Sequence, residues 1–160
     1  PEAMKREPIT PKGYDRLVKE IEHIKHHERP ANIKAIEEAR GHGDLSENAD
    51  YDAAKQEQGL IQARLLAAED RLARAEVVDP KTLSGSTVMF GATVVLVDTE
   101  TDDELKYQLV SSYEADAKSG LISIESPIGK ALIGKEEGDE VVVQTPSGHR
   151  NFAIIKVSFV

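Results

Sequence analysis

Gly41-His42-Gly43-Asp44-Leu45-Ser46-Glu47-Asn48-Ala49-Asp50-Tyr51 lies between two long segments that both favour helix. Its two glycines can reverse the chain, and Asp44 and Glu47 stand beside them. Upstream, Thr10-Pro11 supplies an N-cap and a proline at the first helical position. Tyr14, Leu17, Ile21 and Ile24 then recur at spacings of three and four, one apolar stripe on a helix. Pro30 removes a backbone donor and is expected to kink or shift that helix before the stripe resumes at Ile33 and Ile36. Downstream, Tyr51, Ala54, Gln58, Ile61, Leu65, Ala68, Leu72 and Ala75 follow a heptad. Together they predict an antiparallel two-helix coiled coil over roughly 11–76 whose tip carries acids.

The chain changes character near Asp79-Pro80. Ala, Glu, Lys, Arg and Leu dominate before it; Val, Ile, Thr and Gly in short alternating runs dominate after it. We therefore expect an α+β protein, with the helical hairpin in 1–79, a small β-rich domain in 80–160, and a linker over 77–86. Strands are expected within Thr87–Val97 (broken at Gly91), Leu105–Val110 and Leu121–Glu125. Val141–Val143 should pair with Phe152–Phe159 across Pro146-Ser147-Gly148. Ser126-Pro127 opens a short helix reaching Leu132, against which an antiparallel sheet packs.

Composition narrows the function. The formal charge is −9, with −4 in residues 1–80 and −5 in 81–160, so neither half is a basic nucleic-acid coat. There is no cysteine and no tryptophan, with three Phe and four Tyr. Thiolate chemistry is excluded, and an aromatic base-stacking platform is disfavoured. No apolar run approaches the roughly 20 residues of a membrane span, and a soluble cytoplasmic protein is expected. No phosphate loop, nucleophile elbow or H-E-x-x-H motif occurs.

Asp44 and Glu47 have two readings on spacing alone. Asp44 could cap the second helix with Glu47 at its third position, an Asp form of the capping box. Alternatively, their exposed oxygens could share a Mg²⁺ whose remaining ligands come from a partner, since two carboxylates do not fill an octahedral shell. Arg40, Lys55 and Arg64 could steer RNA along the arm through phosphate contacts, or serve only as solvated charges. His23, His26 and His27 read as solvent-facing or packing residues.

Four motifs in order carry a resemblance over essentially the whole chain after the first few residues. They are Ile9-Thr10-Pro11-Lys12-Gly13, Glu38 to Tyr51, Val88-Met89-Phe90-Gly91-Ala92-Thr93-Val94 and Ile124 to Lys135. They resemble the bacterial Gre transcript cleavage factors, whose usual Glu is replaced here by Asp50. The acidic balance fits the acidic branch of that family better than the basic one.

The resemblance implies a coiled coil inserted through the secondary channel of bacterial RNA polymerase, and a second domain similar to FKBP-type prolyl isomerases docked at the channel rim. Asp44 and Glu47 are then the accessory catalytic acids, helping to hold a second Mg²⁺ shared with the polymerase. Leu45, Ser46, Asn48 and Tyr51 support the tip. Lys55 matches a basic position of the family and is the leading contact for the nascent RNA 3′ end. Glu125, Ser126 and Pro127 match the rim-docking residues. The expected role is stimulation of the polymerase's own RNA hydrolysis in backtracked complexes, with no independent active site, no tightly bound cofactor and no membrane partner. The alternatives are a polymerase-channel regulator or coiled-coil adaptor that does not promote cleavage, and, more weakly, a free-standing prolyl isomerase.

Overall fold

The structure, a computed structural model, describes residues 5–41 and 48–160. Tyr14–Ala75 forms one compact unit; the other combines Glu76–Val160 with the described chain before Tyr14. The root of the first helix thus groups with the sheet rather than with the rest of the hairpin. Among the described residues, no helix is long and apolar enough to cross a membrane.

Helix α1 (Pro11–His23) starts where Thr10-Pro11 predicts, with the Gly13 N–H donating to the Thr10 hydroxyl at 3.1 Å. A π-helical turn, Ile24–Glu28, follows and leads directly into α2 (Arg29–Arg40), with Pro30 in its first turn. The Arg29 N–H reaches back to the Ile24 carbonyl, the wider repeat of a π-bulge. Pro30 therefore produces a register shift without ending the helix. The extra residue in that turn moves the inner face onward, so Asn32 is 7% exposed while Ile33 is 48% exposed. The expected stripe is corrected accordingly to Leu17, Ile21, Ile24, Asn32, Ile36 and Ala39, all buried.

Helix α3 (Ala49–Arg74) buries Ala54, Ile61, Leu65 and Ala68, as the heptad predicts, but Gln58 is exposed. The Asn32 side-chain amide donates across the hairpin to the Ala54 carbonyl at 2.9 Å. Two ion pairs also cross between the helices, Arg64 to Glu28 at 2.6 Å and Lys25 to Glu69 at 3.4 Å.

Part of the expected linker is ordered structure. Strand β2 (Ala75–Val77) pairs with β1 (Glu7–Ile9), a strand too short to be signalled by alternation. The pairing extends through the Val78 N–H to the Ile9 carbonyl at 2.9 Å.

Strands β3 (Thr93–Asp98), β4 (Glu104–Val110), β5 (Leu121–Ser123), β6 (Glu140–Thr145) and β7 (Gly148–Ser158) form one sheet in the order β5-β4-β3-β7-β6. Three of its pairings are antiparallel, but β5 runs parallel to β4, so the sheet is mixed rather than antiparallel. The connection from Ser111 to Gly120 allows this, turning the chain back to re-enter beside β4 in the same direction. The β3–β7 register shifts between Val95 and Leu96, where Ile155 is the unpaired extra residue; such a bulge bends the strand. The core centres on Leu96, Leu109, Leu132, Phe152 and Ile154. Helix α4 (Pro127–Leu132) covers one side, its start capped by the Ser126 hydroxyl accepting from the Gly129 N–H at 3.0 Å.

Candidate functional site

Helix α2 closes at Gly41, whose N–H reaches the carbonyls of Glu37 at 3.2 Å and Glu38 at 3.1 Å. Gly41 keeps a right-handed φ of −66°, so its glycine freedom is not used there. The chain is described again from Asn48, the N-cap of α3, whose side-chain oxygen accepts from the Tyr51 N–H at 3.0 Å. Its amide nitrogen donates to the Ala39 carbonyl at 2.5 Å. One buried asparagine thus satisfies an orphan donor at the start of α3 and an orphan acceptor at the end of α2. Tyr51 is half-buried beside it.

Asp44, Glu47, Leu45 and Ser46 lie outside the described residues. The cap at Asn48 nevertheless bears on the two readings of the acids. Helix α3 begins at Ala49 with its own capping residue, so the Asp44–Glu47 capping box at its start is not the arrangement found. Asp50 and Asp52 occupy the first turn of α3, where negative charge complements the helix dipole.

The three basic candidates do not share a strip. Lys55 is exposed and donates to the Gln58 side chain at 2.8 Å. Arg64 lies nine residues further on, and at about 100° per residue that places it on the opposite face of α3. Arg64 is engaged by both oxygens of Glu28, at 2.6 and 3.4 Å. This hydrogen bond holds the Glu28 carboxyl below its ordinary range, with smaller contributions from the Arg64 and His23 charges. Arg40 is the exposed last residue of α2.

His23 and His27 are exposed, with tilted rings 5.3 Å apart, and His23 lies 3.9 Å from Glu28. Among the described residues no group of three or more His, Asp or Glu could hold a metal ion.

In the sheet unit, Glu125, Ser126 and Pro127 form the turn from β5 into α4. The Glu125 carboxylate is exposed and accepts from the Ser112 hydroxyl at 2.9 Å, while the Ser126 hydroxyl donates to the Ser123 carbonyl at 2.6 Å. Gly129 allows the turn to close, because a Cβ there would collide with the Ser123 carbonyl. Beside the turn is a cleft of about 340 Å³ lined by Met89, Phe90, Ile124, Lys130 and Ile133.

Two features were missed by sequence reasoning. Asn32 sits where an apolar residue would be expected on an inner face, and a lone Asn inside a stripe is the signal that could have found it. Glu114 is the other, a carboxylate only 6% exposed.

Comparison with known proteins agrees over the full length. A model described as "Transcription elongation factor, N-terminal" matches residues 7–77, and one described as "Transcription elongation factor, GreA/GreB, C-term" matches 83–159. Transcription elongation factor GreA of Beijerinckia indica subsp. indica is 53% identical, with 98% of this chain and 99% of that one aligned. The factor of the same name from Phenylobacterium zucineum is 52% identical over 98% and 100%. The crystal structure of GreA factor homolog 1 of Thermus thermophilus is 32% identical over 96% and 99%, with a TM-score of 0.44. The chain belongs to the GreA/GreB family of transcription elongation factors, and is of the GreA type.

Proposed function

We propose that this elongation factor acts on RNA polymerase by carrying Asp44 and Glu47 through the secondary channel, where they stimulate hydrolysis of the nascent RNA 3′ end in backtracked complexes. The observation that carries the reading is Asn48. By capping α3 and bonding Ala39, it ties together the two helix ends that flank segment 42–47. With Asn48 in that position, capping of α3 does not fall to Asp44.

Two carboxylates are hard oxygen donors of the kind Mg²⁺ prefers, but they are too few to close its shell. The ion is therefore shared, with the polymerase supplying the other ligands, and calorimetry on the isolated factor should detect only weak binding. When bound there, Mg²⁺ supplies Lewis-acid chemistry, acidifying water and stabilising charge on the phosphodiester oxygens. The chain's own contribution is placement. The segment joining the two helices carries two acids three apart in sequence, the exposed Lys55 offers a phosphate contact along the arm, and the Glu125-Ser126-Pro127 turn docks at the channel rim. The factor is then an accessory to the polymerase's hydrolysis, with no active site of its own.

Cleavage in purified backtracked complexes tests this reading. Asp44→Asn and Glu47→Gln keep shape but remove charge, and should bind polymerase normally while losing stimulated cleavage. Because Asn48 holds the cap, helicity should not change in Asp44→Asn. Full cleavage by both variants would remove the two acids from the mechanism, and polymerase binding without any stimulation by the wild type would favour the non-cleaving regulator instead.

A further inference from the structure

Among the described residues only two carboxylates are buried, Asp98 and Glu114. Asp98 is accounted for by its own turn and by Arg150. Glu114 faces a different set of donors, contributed partly by the chain just before the hairpin. Its Oε2 accepts from the Thr10 N–H at 3.3 Å, the Ser111 N–H at 3.3 Å and the Ser111 hydroxyl at 2.8 Å. Its Oε1 accepts from the Thr10 hydroxyl. Such a four-donor set suits an acceptor-only side chain.

Thr10 is also the cap of α1. Because its hydroxyl proton is committed to Glu114, its oxygen lone pair is free to receive the Gly13 N–H at 3.1 Å. The positive end of the helix dipole is thus relayed through one hydroxyl into a carboxylate. Gly13 completes the fit, since a Cβ there would collide with the Glu114 carboxylate. The Glu114 N–H donates back to the Ser111 carbonyl at 3.1 Å, which fixes the turn that presents the side chain.

We propose that Glu114 is a positioning residue for transcript cleavage, clamping the first turn of α1 to the sheet unit so that docking of that unit defines where the arm begins. The inference rests on the reading above, in which the hairpin delivers Asp44 and Glu47. Leverage gives the clamp its importance. From Pro11 to Arg40 the helix runs about 45 Å at 1.5 Å per residue. A rotation of about 5° at the root would then displace the far end by roughly 4 Å, and a misplacement of about 1 Å can cost about a hundredfold in rate.

The test separates delivery from docking by titrating the factor into backtracked complexes. Glu114→Ala should lower the maximal cleavage rate by about ten- to a hundredfold while leaving the half-saturating concentration within about twofold. Glu114→Gln should recover most of the rate, because its carbonyl can still accept from Thr10 and Ser111. Gly13→Ala should lower the maximum in the wild-type background and have little further effect in Glu114→Ala, the non-additivity expected of a contact pair. An unchanged maximum in Glu114→Ala, a loss confined to half-saturation, or additive effects of the two substitutions would overturn the proposal. Stimulation by the wild type with none lost in Glu114→Ala defeats this inference alone. No stimulation by the wild type defeats the functional reading and this inference with it.

Discussion

The hairpin and the sheet unit bury different kinds of side chain. Between α2 and α3 the inner face is Ile36, Ala39, Ala54, Ile61, Leu65 and Ala68, with Asn32 set among them and Asn48 at the start of α3. The sheet unit encloses Phe152, Leu96, Leu109, Leu132 and Ile154, each essentially inaccessible. A fully buried Leu, Ile or Phe side chain contributes about 1.5–3 kcal/mol, and a single methylene about 0.8 kcal/mol. Alanines therefore let the helices approach but say little about register, because one methyl packs much like the next. In the hairpin that information is carried by polar groups with a unique partner, as a buried Asn does in coiled coils. The sheet gets both stability and specificity from shape; the arm gets specificity from two amides.

The largest effect should therefore come from the sheet. Phe152 is 1% exposed, and Arg150 lies with its guanidinium carbon 4.9 Å from the ring centroid. Phe152→Ala should cost about 3–5 kcal/mol, read as a drop in the denaturation midpoint of this unit. A cost under about 1 kcal/mol, below the usual range for Phe→Ala, would remove the contrast between the two regions.

Asn48 should come next. Asn48→Ala removes the cap on Tyr51 and leaves the buried Ala39 carbonyl without its side-chain donor, which should cost about 2 kcal/mol in total. Asn48→Ser retains a capping oxygen but is too short to reach Ala39, so it should recover only the cap's share. Equal losses in the two variants, by thermal denaturation followed in the far ultraviolet, would mean that the bond between helix ends contributes nothing.

Asn32 sharpens the distinction between stability and register. The Ala54 carbonyl lies within α3 and keeps its own helical amide, so Asn32→Leu orphans nothing. Its stability should remain within about 1 kcal/mol of wild type, while stimulated cleavage falls as the helices lose their one interior register mark. Unchanged cleavage with a single set of amide resonances would show that alanine packing alone sets the register.

The same difference governs what could be read from the amino acids. Helix starts were legible because capping chemistry is local, as at Thr10-Pro11 and Ser126-Pro127. So was the β6–β7 hairpin, whose strands are adjacent in sequence. The inner face beyond Pro30 was not, because periodicity assumes a constant repeat and the π-turn at Ile24–Glu28 inserts a residue. The β1–β2 ribbon was missed because its strands are distant in sequence, and the parallel β4–β5 pair because alternation gives no strand direction and the Ser111–Gly120 connection turns the chain back. At the site, Asp44 and Glu47 are proposed from the motif's resemblance, while Asn48 as the cap of α3 became visible only once the start of that helix was placed. Glu114 had no local signal tying it to Thr10, 104 residues away.

The smallest effect expected is electrostatic, and it returns to the two regions. Glu28 in the hairpin is held below its ordinary range chiefly by hydrogen bonding to Arg64. Asp98 in the sheet unit is held low first by the Glu100 N–H, then by Arg150 and the Thr101 N–H, against the opposing effect of burial. A carboxylate with a depressed folded-state pKa stabilises the fold above its unfolded value, and that contribution is lost as pH falls through the folded value. Both groups therefore make the protein less stable on the acid side of the ordinary carboxylate range of about 4. They should respond differently to salt, because an exposed ion pair is screened and backbone donors in a turn are not. Arg64→Ala should cost less than about 1 kcal/mol at neutral pH, should shrink the acid-induced loss of helix stability, and should make the remainder less sensitive to salt. Asp98→Asn should leave the hairpin's acid response untouched. An acid response of the hairpin that is the same with and without Arg64 would show that its register owes nothing to that pair, leaving the asparagines and the Lys25–Glu69 pair as the polar determinants among the described residues.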